Sequence, residues 1–214
     1  MDKIRLGVIG AGGNTKARHI PLLKAIRGVE IVSVCNRSQA SGEKVAREFG
    51  IPKVVTSWHE IVEDPDLDGV VIGTWPDMHC LLSCSALHEG KHVLCEARMA
   101  RDADEAHQML EASRVHPELV AQIVPSPFTF DYDATLQKLV TDGFLGELLA
   151  VTATSYGGQF VNREAAQSWR QDFAISGLNI MGMGIFYEAL ARWVGHASCV
   201  QAMGKVAVKQ RRRA

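Results

Sequence analysis

The sequence has almost no excess charge of either sign. Its 23 lysine and arginine residues stand against 24 aspartate and glutamate residues, so the formal net charge is −1 over 214 residues. Proteins that bind nucleic acid or anionic membranes usually carry a basic excess or patch. The one basic run, KQRRRA at the C-terminus, is short and has no aromatic residue to stack on bases, so we expect a solvated chain end. The charge pattern predicts no nucleic-acid partner and no membrane partner.

Cysteine pairs and long apolar runs are also lacking. The five cysteines are an odd number, and none of their spacings is completed to a zinc site by further cysteines or histidines. We therefore expect no metal, and buried free thiols at Cys35, Cys80, Cys84, Cys95 and Cys199. No apolar run looks long enough to span a bilayer, and the chain starts with a strand pattern instead of a signal peptide. These absences predict a cytoplasmic protein.

The sequence does have a regular alternation of apolar runs and amphipathic stretches. The pattern predicts a helix after each of the first four of five strands, the strands being 4–9, 29–36, 68–74, 91–95 and 118–124. Gly50 suits the left-handed end of the second helix. Strands that are apolar on both faces and separated by single helices form parallel sheets covered on two sides. The sequence thus predicts an α/β fold, with a doubly wound Rossmann domain over residues 1–123.

The pattern changes after residue 123. A helix is predicted over 134–142, and the alternation of GELLAVTATSYGG, residues 146–158, predicts a strand with one face free for packing. We therefore expect residues 124–214 to form a second domain.

The glycine-rich segment GVIGAGGNTKARHI joins the first strand to the first helix. Gly10 and Gly12 stand where a dinucleotide-binding loop needs a tight turn and a close approach of backbone N–H groups to a pyrophosphate. Thr15 occupies the third glycine position. Because the pattern follows a strand and opens a helix, it favours a dinucleotide site over a glycine-rich turn without a ligand.

The segment CNRS ends the second strand. A carboxylate at this point binds the ribose hydroxyls of NAD, whereas Asn36, Arg37 and Ser38 offer hydrogen-bond donors and a positive charge. This chemistry favours the 2′-phosphate of NADP. The alternative is an arginine that points to water. We predict NADP as the preferred cofactor and NAD as the second choice.

Taken in order, GAGGNTKARHIP, CNRS, DLDGVVIGTWPDMH, ALHEGKHVLCEA and DGFLGEL resemble the glucose-fructose oxidoreductase and inositol dehydrogenase (Gfo/Idh/MocA) family. The resemblance implies a Rossmann domain, a C-terminal α/β domain with an open mixed sheet, and NAD(P) bound between them. It implies hydride transfer on a sugar, polyol or related hydroxyl or carbonyl compound. Residues 124–214 match only part of that second domain, which serves substrate binding and oligomerisation. An open sheet exposes edges, so we expect a homo-oligomer through the C-terminal sheet.

The resemblance also implies cofactor-binding positions beside Asn36, Arg37 and Ser38. They belong to the phosphate loop, to the segment at the end of the predicted strand 68–74, to the acid position of a Glu-Lys-Pro motif and to a retained Trp-Arg pair. The residues are Gly10, Gly12, Gly13, Asn14, Thr74, Trp75, Pro76, His79, Glu96, Trp169 and Arg170.

The chain departs from the family pattern where protons are handled. The motif lysine falls on Ala97 and its proline on Arg98, while a later aspartate and histidine fall on Gly182 and Phe186. A general acid or base contributes about 10²–10⁴ in rate, so another group must substitute if turnover is to be fast.

Two residues are weak catalytic candidates, Tyr187 and His79. Each has a simpler alternative, a packed tyrosine and a histidine that caps or packs. The departures therefore leave two hypotheses: an NAD(P)-dependent oxidoreductase, or a non-catalytic NAD(P)-binding sensor or partner subunit. A third, a partly folded remnant without a ligand, rests on the chain length alone.

Overall fold

The computed structural model describes residues 3–125, 131–158, 160–178 and 181–212. The chain divides into two compact units. Unit 1 comprises Met1–Val124 and Ala174–Leu178, and unit 2 comprises Pro125–Phe173 and Asn179–Ala214.

Unit 1 is built on one sheet of six strands. The strands are β1 (Ile4–Ile9), β2 (Val29–Cys35), β3 (Lys53–Val55), β4 (Gly69–Ile72), β5 (His92–Cys95) and β6 (Ala121–Ile123). All neighbours run parallel, in the order β3-β2-β1-β4-β5-β6, which is the order of a Rossmann fold. The predicted α/β class is confirmed. β3 was not predicted because its apolar residues are only Val54 and Val55, too few to show a period, whereas β6 lies within the longer apolar run predicted over 118–124.

Helices connect the strands. A π-helical turn, Thr15–His19, leads into α1 (Ile20–Ala25), and the others are α2 (Gln39–Phe49), α3 (His59–Val62), α4 (Pro76–His88) and α5 (Ala103–Val115). The Ser38 hydroxyl and the Asp102 carboxylate accept backbone N–H bonds at the starts of α2 and α5. Gly50 ends α2 with φ 63° and ψ 42°, which confirms the predicted left-handed cap.

The core of unit 1 lies on both faces of the sheet. One cluster joins the strands to α1 and α2, with Val8, Ile20, Ile31, Val34 and Val45 among its members. The other joins them to α3, α4 and α5, with Ile61, Ile72, Leu82, Leu87 and Met109 among its members. Both faces are covered by helices, as a doubly wound sheet requires.

The six strands end in register. Pairing joins their last residues into one row: Val55, Cys35, Ile9, Ile72, Cys95 and Ile123. The loops that begin at Gly10, Asn36, Gly73 and Glu96 therefore open at the same edge. The strand order reverses between β1 and β4, and such a switch point is where open parallel sheets bind ligands.

The regular secondary structure in the described part of unit 2 is helical. It contains α6 (Asp133–Thr141), a 3-10 turn (Trp169–Gln171) and α8 (Met181–Val194). The Asp133 carboxylate accepts hydrogen bonds from Arg192 at 3.1 Å and from the Trp193 indole at 2.7 Å, and these bonds join α6 to α8. The predicted helix over 134–142 is confirmed with a shift of one residue.

The predicted strand over 146–158 is wrong. These residues form no ladder with any other segment, and the described residues beyond Ile123 contain no strand. Alternating apolar residues supply a face for packing, but a strand also needs a neighbour for its backbone N–H and C=O groups. The open mixed sheet has no counterpart in the described part of unit 2.

Two expectations about surface groups are also corrected. All five cysteines are free, but only Cys35, Cys80 and Cys95 are buried, whereas Cys84 is half-buried and Cys199 is exposed. The C-terminal arginines are not simply solvated: the Arg211 guanidinium donates to the carbonyls of Asn162, at 2.5 Å, and Ala165, at 3.2 Å. Backbone carbonyls of unit 2 thus satisfy donors that the sequence suggested were left to water.

One segment of the described residues is long and apolar enough to cross a membrane by length and composition. It is Phe173–Val194, which contains α7 (Phe173–Ser176) and α8 and has a mean hydropathy of 1.3. The sequence analysis predicts no such segment. Core helices of soluble proteins meet the same criterion.

Candidate cofactor site

Gly10 makes the tight turn after β1. Its φ is 84°, and a Cβ on it would lie 2.6 Å from the backbone nitrogen of Thr74. Its N–H donates to the Cys35 carbonyl at 2.8 Å, which continues the β1–β2 ladder by one bond. Gly10 therefore packs the β1 loop directly against the β4 loop, as the sequence analysis requires of the first glycine.

Thr15 replaces the third glycine of the loop, and Gly73 accommodates the replacement. The Thr15 side chain is buried, and its hydroxyl lies 3.3 Å from the Gly10 carbonyl. A Cβ on Gly73 would come within 2.0 Å of that hydroxyl oxygen. The close approach of helix and strand is thus kept by a glycine on β4's loop. At Gly13 a Cβ would meet nothing within 4 Å, so the loop is open on that side.

Asn36 holds the loop from the end of β2. Its Oδ1 accepts the Ala11 N–H at 2.7 Å, and its Nδ2 donates to the Ser41 hydroxyl at 2.9 Å. Both ends of the amide are thus used within the protein. Asn36 therefore positions the glycine loop against the start of α2.

Arg37 does not simply point to water. Its guanidinium carbon lies 5.4 Å from the centroid of the Trp75 ring, within the range of a cation–π contact. Arg37 and Trp75 stand on the loops after β2 and β4. The contact holds a positive charge at the ligand-binding edge of the sheet.

A cleft with a volume of about 680 Å³ opens at this edge of the sheet, and from here on we refer to it simply as the cleft. Its wall includes the predicted residues Gly10, Gly12, Asn36, Arg37, Ser38, Thr74 and Trp75. The loop after β3 adds Thr56, Ser57, Trp58 and His59, which the sequence analysis missed together with β3. The rings of Trp58 and His59 stack at 3.6 Å. The carboxyl ends of four parallel strands thus converge on a single cleft.

The cleft holds buried polar atoms that the protein does not satisfy. Thr74 Oγ1 and Asp77 Oδ1 are buried and have no hydrogen-bond partner in the described part of the chain. Both residues line the cleft. Buried polar atoms in folded proteins are nearly always paired. A polar ligand fits this wall, and a dinucleotide carries hydroxyl, amine and phosphate groups that could supply the missing partners.

Glu96 follows β5 and is held by the turn after β1. Its Oε1 accepts from the Asn14 amide and contacts His19 Nε2 at 2.5 Å, and its Oε2 accepts the Ala97 N–H at 3.0 Å. Burial raises the pKa of Glu96, but the bonds from His19, Asn14 and Ala97 outweigh it and hold the pKa below its ordinary value. Glu96 is therefore an ionised carboxylate fixed beside the glycine loop.

His19 is a site residue that the sequence analysis missed. It lies five residues after Asn14 in TKARHIP, a spacing that a π-helical turn places on one side. In an ordinary α-helix, residues five apart in sequence lie on different sides of the helix. The pairing of His19 with Asn14 is therefore revealed only by the π-helical geometry.

His79 joins the loops after β4 and β5. The ring is 1% exposed, and its nitrogens lie 2.8 Å from the Arg98 carbonyl and 3.1 Å from the Thr74 carbonyl. Burial lowers its pKa, although the two carbonyls oppose this effect. Both nitrogens face backbone oxygens, so the geometry favours the capping alternative for His79 over proton transfer to a substrate.

A family model described as an oxidoreductase family with an NAD-binding Rossmann fold, Gfo/Idh/MocA, matches residues 4–122. The chain belongs to the Gfo/Idh/MocA family. The resemblance seen in the sequence is thereby confirmed. The matched range covers the sheet from β1 into β6 and every cleft residue named above.

Two relatives illustrate the match. The 1,5-anhydro-D-fructose reductase of Ensifer adhaerens is 39% identical over 110 residues, which cover 51% of this chain and 33% of the relative. The levoglucosan dehydrogenase of Pseudarthrobacter phenanthrenivorans is 26% identical over 95% of this chain and 54% of the relative. The chain spans about half the length of the curated relatives that it matches.

Solved structures share the fold. An oxidoreductase domain protein from Kribbella flavida has a TM-score of 0.76 at 24% identity, over 91% of this chain and 55% of that one. A mutant of KijD10, a 3-ketoreductase from Actinomadura kijaniata in complex with TDP-benzene and NADP, has a TM-score of 0.59 at 25% identity. It covers 68% of this chain and 46% of that one.

Arg98, which follows Glu96 and Ala97 in the β5–α5 loop, makes a structural contact. The Arg98 guanidinium donates to both the carbonyl and the hydroxyl of Ser176, which is fully buried. Arg101 donates to the Ala174 carbonyl at 3.1 Å. These bonds attach the segment Ala174–Leu178 to unit 1 at the β5–α5 loop.

The remaining predicted residues lie in unit 2. The Arg170 guanidinium packs 4.2 Å from the centroid of the Trp169 ring. Gly182, Phe186 and Tyr187 are on α8, and the Tyr187 hydroxyl accepts the Ala197 N–H at 3.2 Å. Within the described ranges, no group of three or more His, Cys, Asp or Glu side chains could hold a metal ion.

Proposed function

We propose that this chain provides the cofactor-binding part of an NAD(P)-dependent oxidoreductase that acts on a sugar, polyol or related compound and prefers NADP. The observation that carries the proposal is the cleft, where a glycine loop, a cation and unsatisfied polar atoms meet at the switch point of a Rossmann sheet. The relatives act as reductases and dehydrogenases by name, which supports a catalytic role over a non-catalytic one.

The residues at hand suit each part of the cofactor. The open backbone at Gly12 and Gly13 would face the pyrophosphate, and Arg37 with the Ser38 hydroxyl would bind the 2′-phosphate by charge-assisted bonds. Glu96 would accept bonds from ribose hydroxyls, because His19 keeps its carboxylate ionised and fixed. When bound, the nicotinamide gives or accepts a hydride.

Proton transfer to or from the substrate hydroxyl needs a group other than the family's. Ala97, Gly182 and Phe186 cannot exchange a proton, and both nitrogens of His79 face carbonyls. Tyr187 accepts a bond at its hydroxyl oxygen and retains its own O–H for donation. Of the two candidates, Tyr187 is the one we retain for this role.

Two further parts of the proposal come from the sequence. We propose a cytoplasmic location and association of copies through unit 2, where Leu149 and Tyr156 are 88% and 94% exposed. Sedimentation of the purified protein as a monomer at micromolar concentration would contradict the association.

The affinities for NADPH and NADH test the cofactor assignment. A phosphate held by a guanidinium gains about 1.5–3 kcal/mol, so we expect Arg37→Ala to weaken NADPH binding about 10- to 100-fold and to leave NADH within about twofold. Calorimetric titration of both proteins measures the two ratios. The matched control is Arg47→Ala, which removes the same charge from an exposed site on α2.

Two results would count against the proposal. Equal affinities of the parent protein for NADPH and NADH would refute the NADP preference. Failure to bind either nucleotide would refute the cofactor site itself.

A further inference from the structure

The residues that line the cleft include a carboxylate, Asp77, with no role in the cofactor contacts described above. Asp77 stands in the first turn of α4, directly after Pro76, and is one of the residues that line the cleft. Its Oδ1 is buried and has no hydrogen-bond partner in the described residues. The Thr74 hydroxyl, three residues earlier and on the same wall, is in the same condition.

The fold tolerates the charge of Asp77 but leaves its oxygen unsatisfied. A carboxylate in the first turn of a helix is favoured by the helix dipole, which acts on its charge and supplies no hydrogen bond to Oδ1. The charge of Arg101 acts on Asp77, but the hydrogen bonds of its guanidinium go to Glu105 Oε1, 2.7 Å from its Nε, and to the Ala174 carbonyl. An ionised carboxylate oxygen only accepts hydrogen bonds, so the partner that Asp77 Oδ1 lacks among the described residues is an N–H or O–H donor, which a bound ligand can supply.

The cleft therefore contains one positively charged and one negatively charged side chain. Arg37, held over Trp75, attracts a phosphate, whereas Asp77 repels a phosphate and attracts a donor. The adenosine 2′-phosphate half of NADP carries both kinds of group. Its phosphate is an anion, and the 6-amino group of adenine and the ribose 3′-hydroxyl are donors.

We propose that Asp77, assisted by the Thr74 hydroxyl, accepts a hydrogen bond from a donor on the adenosine half of the bound nucleotide and so selects for that donor. The proposal rests on the proposed function, because it concerns the same cleft. It adds a specificity-determining residue outside the predicted set. With Arg37 attracting the phosphate and Asp77 the donor, the nucleotide half is bound in one orientation.

Adenosine 2′,5′-bisphosphate and two analogues test the proposal by calorimetry. The inosine analogue replaces the 6-amino donor with an acceptor, and the 3′-deoxy analogue removes the ribose donor. We expect the protein to bind one of these analogues about 10- to 100-fold more weakly than the parent compound, since a bond to a charged acceptor is lost. The analogue that loses affinity identifies the donor.

The variant Asp77→Ala tests whether Asp77 is the group that accepts the hydrogen bond from this donor. It should bind the parent compound as weakly as the affected analogue, and the analogue itself should bind with unchanged affinity. Asp77→Asn keeps an acceptor oxygen at the same place and should recover part of the discrimination, which guards against a folding defect in Asp77→Ala. Asp104→Ala, which removes a first-turn carboxylate from α5, is the matched control and should leave all ratios unchanged.

Two outcomes would overturn the proposal. One is equal affinity of the parent protein for all three compounds. The other is an Asp77→Ala variant that weakens all three by the same factor. Either result, combined with normal NADPH binding, refutes the role of Asp77 alone, whereas absence of NADPH binding refutes the cofactor site.

Discussion

At the scale of single residues, Glu96 is the charge whose surroundings are best defined. Three donors, from His19, Asn14 and the Ala97 backbone, hold its carboxylate. Since its pKa in the folded protein is below the ordinary value, the ionised form stabilises the fold. This contribution is complete above the ordinary pKa of about 4.3 and is lost as the pH falls through the lowered value.

We therefore predict that Glu96→Gln lowers the free energy of unfolding by about 1–3 kcal/mol at neutral pH. The difference from the parent protein should shrink as the pH falls below the ordinary pKa of about 4.3 and towards the lowered pKa of Glu96. Urea unfolding over a pH series measures this difference. Glu89→Gln, at an exposed helix end, is the control. A difference that stays constant down to about pH 3 would contradict the stabilising role of the ionised Glu96 carboxylate.

The sequence indicated where these side chains lie more reliably than it indicated what each side chain contacts. Gly10, Asn36 and His79 all lie at the edge where the sequence analysis placed them. The amide of Asn36 and the ring of His79 nevertheless hold loops together instead of remaining free for a ligand. A side chain's partners depend on which loops the fold brings together, and local sequence does not contain that information.

At the scale of elements, the β5–α5 loop has a structural role. Its Arg98 bonds to the carbonyl and hydroxyl of the buried Ser176. A Cβ on Gly177 would lie 2.2 Å from the Arg101 carbonyl, so the segment Ala174–Leu178 fits closely against this loop. The guanidinium of Arg98 thus provides the donors for this attachment.

We predict that Arg98→Ala costs about 1–3 kcal/mol of stability, because it leaves buried acceptors of Ser176 without their donor. Hydrogen exchange of residues 174–178 should become faster, and urea unfolding measures the cost. Arg114→Ala, which breaks an exposed pair with Glu111, should change neither quantity. Unchanged exchange at 174–178 in Arg98→Ala would show that the arginine does not hold the segment.

Element prediction succeeded where a segment carries its own signal. The strands β1, β2, β4 and β5 and their helices follow from apolar runs and caps. β3 contains only two apolar residues and shows no pattern, and residues 146–158 show a pattern but have no partner strand among the described residues. Pairing is a non-local property, which explains both the omission and the false strand.

At the scale of the whole molecule, the strand register determines the site. Because six strands end in one row, residues far apart in sequence meet at one edge. The sequence predicted the parts of the cleft that belong to known loops, after β1, β2 and β4. It missed Asp77 and the Thr56–His59 loop, since their place in the cleft appears only when the sheet is assembled.

The most direct measurement is hydrogen exchange of the whole chain with and without saturating NADPH. We expect slower exchange in the loops after β1, β2, β3 and β4, at residues 10–15, 36–41, 56–59 and 73–78, which meet at the cleft. Residues 133–141 on α6 should be unaffected. Saturation by NADPH without protection of these four loops, or with protection elsewhere, would contradict the assignment of the cleft as the cofactor site.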